Sequence, residues 1–125
     1  MKNILLTIIA AAFLFGCSDP EAEANKLFTE ASRLVKEADA ITDPYSAEAY
    51  NNRKNAIELI KKIPAQYPQS SLSVEISRGG VTFLGQSLDQ IKEKITPKIP
   101  FWTAIITGNI IAVKMHCDIG VDMNA

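Results

Sequence analysis

Two cysteines, one histidine and the carboxylates Asp89 and Glu93 are among the groups in this 125-residue chain whose type or spacing could support chemistry. Asp89 and Glu93 stand four residues apart, one helical turn, where two carboxylates can share a proton or a cation. No histidine accompanies them, and the surrounding Lys92 and Lys94 mark a solvated helix face instead. His116 has no Ser, Asp or Cys constellation around it and reads as a half-exposed helix residue rather than a base or ligand. No Cys-x-x-Cys, His-Glu-x-x-His, Gly-x-Ser-x-Gly, Gly-x-Gly-x-x-Gly or Gly-x-x-x-x-Gly-Lys-Ser/Thr sequence occurs. Zinc, nucleophile-elbow, dinucleotide and phosphate-loop chemistry therefore lack their carriers. The expectation is a protein that is not an enzyme, with no catalytic residues, no cofactor, no metal and no small-molecule substrate.

The cysteines sit at positions 17 and 117, and the first ends an unusual opening, MKNILLTIIAAAFLFGC. Lys2 precedes an apolar run from Ile4 to Phe15, interrupted only by Thr7, and Gly16-Cys17 closes it. A charge, a short greasy stretch and a small-residue site form the layout of a secretory signal peptide. As a helix the run would reach roughly 18 Å, short of the ~30 Å hydrocarbon core, so a permanent span is not expected.

Leu14-Phe15-Gly16-Cys17 resembles the lipobox of bacterial lipoproteins, although Phe15 is bulkier than the family's usual residue. The resemblance implies cleavage after residue 16, lipidation of Cys17 and attachment to a membrane through it. An Asp directly after the cysteine retains such proteins at the inner membrane in some Gram-negative bacteria. Ser18 stands there, so the resemblance implies an outer-membrane lipoprotein facing the periplasm, with the inner membrane as the alternative. With Cys17 in a thioether, Cys117 has no partner within the chain. It would be a buried, inert thiol or form an intermolecular bridge, and the buried thiol is the expectation.

Removing 16 of 125 residues leaves 109, one domain with a modest core. The formal charge of the whole chain is −1, and no Lys/Arg cluster alternates with aromatics, so nucleic acid is not an expected partner.

Asp19-Pro20 opens the first helix, with the Asp as cap and the Pro where no donor is wasted. Leu27, Phe28, Ala31, Leu34, Val35, Ala38 and Ile41 follow at intervals of three and four, one apolar stripe. Thr42-Asp43-Pro44 repeats the start signal, and a second helix is predicted from about Pro44 to Ile63, ended by Pro64. The short connection predicts an antiparallel hairpin. Tyr67-Pro68-Gln69-Ser70 after it resembles the hairpin ends of tetratricopeptide-like repeats in bacterial periplasmic lipoproteins, over roughly Ala22 to Ser71, though the Trp-x-x-Leu-Gly start is absent. The resemblance implies a groove that binds peptides or proteins. A strand or a short helix fits Leu72 to Ile76, and the helix, ended at Arg78 by Gly79-Gly80, is preferred. Val81 to Leu84 is an apolar connector. Ser87-Leu88-Asp89-Gln90 is a capping box opening another helix, which Thr96-Pro97 stops.

The tail, IPFWTAIITGNIIAVKMHCDIGVDMNA, resembles an ankyrin repeat, in particular the first of an array. Pro100-Phe101-Trp102 stands where the family has Pro-Leu-His, Ala104 opens its Ala-Ala pair, and Gly108-Asn109 matches the inter-helix turn. Val113 lies in the second helix, Gly120-Val121-Asp122 matches Gly-Ala-Asp, and Asn124-Ala125 closes the motif. Trp102 and Ile105 depart from the family's His and Ala. Ankyrin units do not bury their apolar face alone. Either this one docks on the helical domain as a terminal cap, or downstream repeats have been lost in a truncated gene product with little function of its own, the slightly favoured reading.

The sequence thus predicts an all-α, repeat-like protein: a signal peptide over residues 1–16, a helical domain over 17–96 with a tetratricopeptide-like hairpin, and one ankyrin-type helix-turn-helix over 97–125. Its core should hold Leu27, Phe28, Leu34, Val35, Ile57, Ile60, Leu88, Ile91, Trp102, Ile106 and Val113. The implied function is a lipid-anchored, periplasm-facing module binding an unidentified protein partner.

Overall fold

A computed structural model describes residues 19–120. The expected leader, Cys17, Asp122 and Asn124 lie outside the described residues. Within them the fold is all-α, with six helices and one small hairpin of strands. None of these helices is long and apolar enough to cross a membrane.

Helix α1 (Pro20–Asp39) begins where expected: Asp19 accepts the Glu21 N–H at 3.0 Å, and Pro20 occupies the first turn. Helix α2 (Ala47–Gln66) starts three residues later than Asp43-Pro44 suggested. The Asp43 carboxylate takes the Tyr45 N–H at 2.9 Å, folding the connection, and Ser46 becomes the cap by accepting the Ala49 N–H at 3.2 Å. At its other end α2 passes through Pro64 and continues to Gln66. A proline removes one backbone donor, yet its φ is compatible with a helix. The chain closes beyond it when Tyr67 N–H reaches the Ile63 carbonyl at 2.8 Å.

The two long helices form the main packing unit. Ala24, Ala31 and Ala38 recur every seven residues on α1, and Ala49 and Ala56 do so on α2, all buried. Small side chains at that spacing let two helices lie close along their length. Leu34, Val35, Ile57 and Ile60 fill the seam, joined by Phe83 and Ile91 from later in the chain. Phe28, Leu88 and Val113 are half-buried, as is Leu27. Phe28 packs against this cluster from its side while Leu34 and Val35 sit within it.

Helix α3 (Ser71–Arg78) is capped by Ser70 and ended by Gly79 at φ +75°. The hydroxyl of buried Ser73 lies 3.1 Å from the Ile63 carbonyl, a second donor to the oxygen that already accepts the Tyr67 N–H, and so ties α3 to the end of α2. The Glu21 carboxylate accepts both the N–H and the hydroxyl of Ser71, at 2.8 and 2.9 Å, and ties the start of α1 to the start of α3. The apolar connector is a hairpin: β1 (Thr82–Phe83) pairs antiparallel with β2 (Gln86–Ser87). Leu84 and Gly85 form its turn, both at positive φ, +55° and +83°, as a two-residue primed turn requires. The hairpin puts Phe83 into the core, its ring centroid 4.8 Å from that of Phe28. Helix α4 (Leu88–Lys94) carries the expected capping box, with both the Ser87 and the Gln90 bonds formed.

Helices α5 (Phe101–Thr107) and α6 (Ile110–Asp118) follow as a second, shorter pair. Gly108 at φ +72° ends the first, and the Asn109 side chain caps the second by accepting the Ala112 N–H at 3.0 Å. The pair is joined to the long hairpin near the α1–α2 connection. Lys98 N–H donates to the Tyr45 hydroxyl at 3.1 Å, and Lys54 pairs with Asp118 at 3.0 Å.

Candidate functional site

The C-terminal pair buries only a narrow side. Phe101, Ala104, Ala112 and Met115 are covered. Trp102 and Ile106, expected in the core, are 52% and 81% exposed, which corrects that expectation. Helix α5 has two turns, and its inner side is filled by Phe101 and Ala104. Residues one place further around it, including Ile105, therefore face outward with Ile110 of α6. No charged residue occurs from Ile99 to Val113, so this outer face is largely apolar, with Lys114 at its border. A shallow groove of about 270 Å³ runs across it, lined by Ala104, Ile105, Gly108, Ile110, Val113 and Lys114. Isolated exposed apolar residues are ordinary, whereas a contiguous set including a tryptophan marks a contact surface.

The residues singled out from the tail are placed as follows. Pro100 precedes α5 without a side-chain capping bond, Ala104 is buried, and Val113 is half-buried at the groove. Gly120 has φ +78° just after α6. His116 is half-buried, with Nε2 2.7 Å from the Ile99 carbonyl. A carbonyl only accepts, so this nitrogen carries the proton and the ring serves as a strut beside Phe101. Cys117 is exposed, not buried. It lies two places past Met115, on the side of α6 turned away from the core.

Asp89 and Glu93 are both exposed on α4, and Glu93 is engaged by Lys98 at 3.5 Å. Among the described residues no three His, Cys, Asp or Glu side chains gather as a metal site would need.

A second arrangement was not anticipated. Asp39, at the end of α1, accepts from Arg53 Nη2 at 3.0 Å, from Lys94 Nζ at 3.3 Å and from the Gln86 amide. Four elements thus meet at one carboxylate. Burial pushes its pKa up, but the hydrogen bonds of Arg53 and Gln86 and the charge of Lys94 outweigh this and hold Asp39 below the usual carboxylate value. The signal was present in the sequence. Arg53 falls on the α2 stripe of Ala49, Tyr50, Ala56, Ile57 and Ile60, where a charge must find a partner. On the outer side of α1, Arg33 bridges Glu30 and Glu37 and lowers the Glu30 pKa by its hydrogen bond, an exposed device of ordinary helix stabilisation.

No protein-family model matches the chain, and neither a curated protein nor a solved structure matches it.

Proposed function

We propose that the chain is a lipid-anchored, periplasm-facing module that binds another protein and performs no chemistry. In this reading Cys17 carries the lipid, and residues 97–125 act as an ankyrin-type unit following a tetratricopeptide-like hairpin. The observation that carries the reading is the largely apolar face of Trp102, Ile105, Ile106 and Ile110. Exposing it to water is unfavourable by ~25 cal/mol per Å², a loss that a matching partner surface recovers. Its position supports the same reading. The pair carrying it joins the long hairpin near Tyr45 and Lys54, at the end of α1 away from Asp19. Twenty helical residues separate the two ends by about 30 Å, so a tether at Cys17 would hold the face off the bilayer.

A photo-crosslinking residue at position 106, compared with one at exposed position 36, tests the surface in intact cells. A discrete adduct from 106, absent from 36 and lost when Trp102→Glu is added, is the expected result. No adduct from 106, or the same adducts from both positions, would overturn the reading. The anchor is tested separately by Cys17→Ser and cell fractionation. Release from the membrane is expected, and unchanged retention sinks the lipid assignment.

A further inference from the structure

Between the α1–α2 connection, the end of α4 and α6 lies a cleft of about 240 Å³, lined by Ile41, Tyr45, Arg53, Lys94, Lys98 and Met115, with Asp43 as its one carboxylate. Three cations and one carboxylate line it, and outside the lining Asp39 pairs with Arg53 and Lys94 while Glu93 pairs with Lys98. The Arg53 side chain is only 9% exposed, and one Nη satisfies Asp39, yet its Nε is buried without a partner among the described residues. A buried guanidinium donor left unpaired is costly, and a protein retains one at a stability cost unless something completes it. Lys94 is already held by Asp39 and by the Gln86 amide oxygen at 2.6 Å, so it offers charge rather than a free donor, but the other lining donors are lightly committed. Lys98 holds Glu93 at 3.5 Å with both groups mostly exposed, a pairing of little strength that a better acceptor displaces. The Tyr45 hydroxyl accepts from Lys98 N–H, leaving its own proton to donate.

We propose that this cleft binds a small tetrahedral oxyanion of the phosphate class, held by Arg53, Lys98 and the Tyr45 hydroxyl, with Lys94 adding charge. Donors of three kinds converge from two helices and two connecting segments. An acceptor with oxygens pointing in several directions matches them better than a planar carboxylate, which the Asp39 pairing already supplies to one edge of Arg53. The cleft joins the long hairpin to the segment leading into α5, so a bound anion would also fix the C-terminal pair against the rest. This inference is independent of the protein-binding reading, because the cleft and the apolar face share no residue.

The test is calorimetric titration of the full chain with inorganic phosphate at constant ionic strength, alongside sulfate, acetate and chloride. Saturable binding of phosphate and sulfate, weaker acetate and no saturation by chloride are expected. Lys98→Ala should weaken phosphate about tenfold, the equivalent of one charge-assisted contact. Tyr45→Phe should weaken it about threefold, as for a single neutral hydrogen bond. Both substitutions lie at exposed or half-exposed positions and leave the core intact, so circular dichroism should be unchanged. Absence of saturation in the folded wild-type chain, or equal affinity in wild type and both variants, overturns the proposal.

Discussion

Asp39 and Arg53 are 14 residues apart and lie on different helices, yet Oδ1 and Nη2 are 3.0 Å apart. The pair crosses the turn end of the long hairpin and fixes the stagger of α1 against α2. Gln86 and Lys94 bind the same carboxylate, so the strand hairpin and α4 are held to that stagger too.

This relationship has a pH dependence. Asp39 titrates below its ordinary value in the folded chain, so folding favours its ionised form. The stability it adds is fully present above the ordinary Asp pKa, near pH 4, and is lost as pH falls through the lower folded value. Asp39→Asn should cost about 2 kcal/mol at pH 7, mostly from leaving Arg53 uncompensated. The difference from wild type should shrink below pH 4. Urea denaturation of both proteins at pH 7 and pH 3 measures it, and an undiminished gap at pH 3 would mean that charge is not the cause.

Phe83 is 1% exposed and reaches the core from a strand of only two residues. Because it touches Phe28 of α1 while its backbone belongs to the hairpin, it locks the connector to the long helices. Phe83→Ala should destabilise by about 3–5 kcal/mol. That is a large share of the ~5–15 kcal/mol available to a domain, so the urea midpoint should fall steeply. Phe83→Leu should cost much less.

The sequence was most legible where a signal is local. The Ser87–Gln90 capping box, the glycine stops at 79 and 108 and the Asn109 cap each depend on residues within one turn, and each forms. Periodicity found the stripe of α1 for the same reason. It failed at Trp102 and Ile106, because spacing tells which residues share a side of a helix, not whether anything covers that side. It misjudged Pro64, since a proline forbids one hydrogen bond without forbidding the helical backbone. The β hairpin was hidden because its turn is Leu84-Gly85, and leucine is a poor signal for positive φ. The Asp39 cluster was missed because its members are scattered from position 39 to position 94, and no local rule brings them together.

That leucine gives a prediction of its own. Leu84 has φ +55° and is 60% exposed, so it gains little burial in return for a backbone conformation that disfavours a side chain. The left-handed region costs roughly 1–2 kcal/mol for such a residue, and Asn or Gly avoids much of this. Leu84→Asn should therefore stabilise the chain by about 1 kcal/mol, raising Tm by several degrees. A calorimetric melt checks it. A lower Tm would mean that Leu84 makes contacts worth more than its strain.

Cys117 distinguishes what is folded from what is modified. Its thiol is exposed on α6, so it should react with a thiol reagent in the native protein as fast as after denaturation. The chain contains two cysteines, and a thioether at Cys17 would remove one of them from the reaction. Protein purified from membranes should then yield one thiol per chain both native and in guanidinium. A Cys117→Ser variant should yield none in either state. A second thiol appearing in the denatured wild-type protein would show that Cys17 carries no lipid, whatever the fold of the remainder, and the membrane tether would have to be abandoned while the apolar face and the Asp39 cluster stood unaffected.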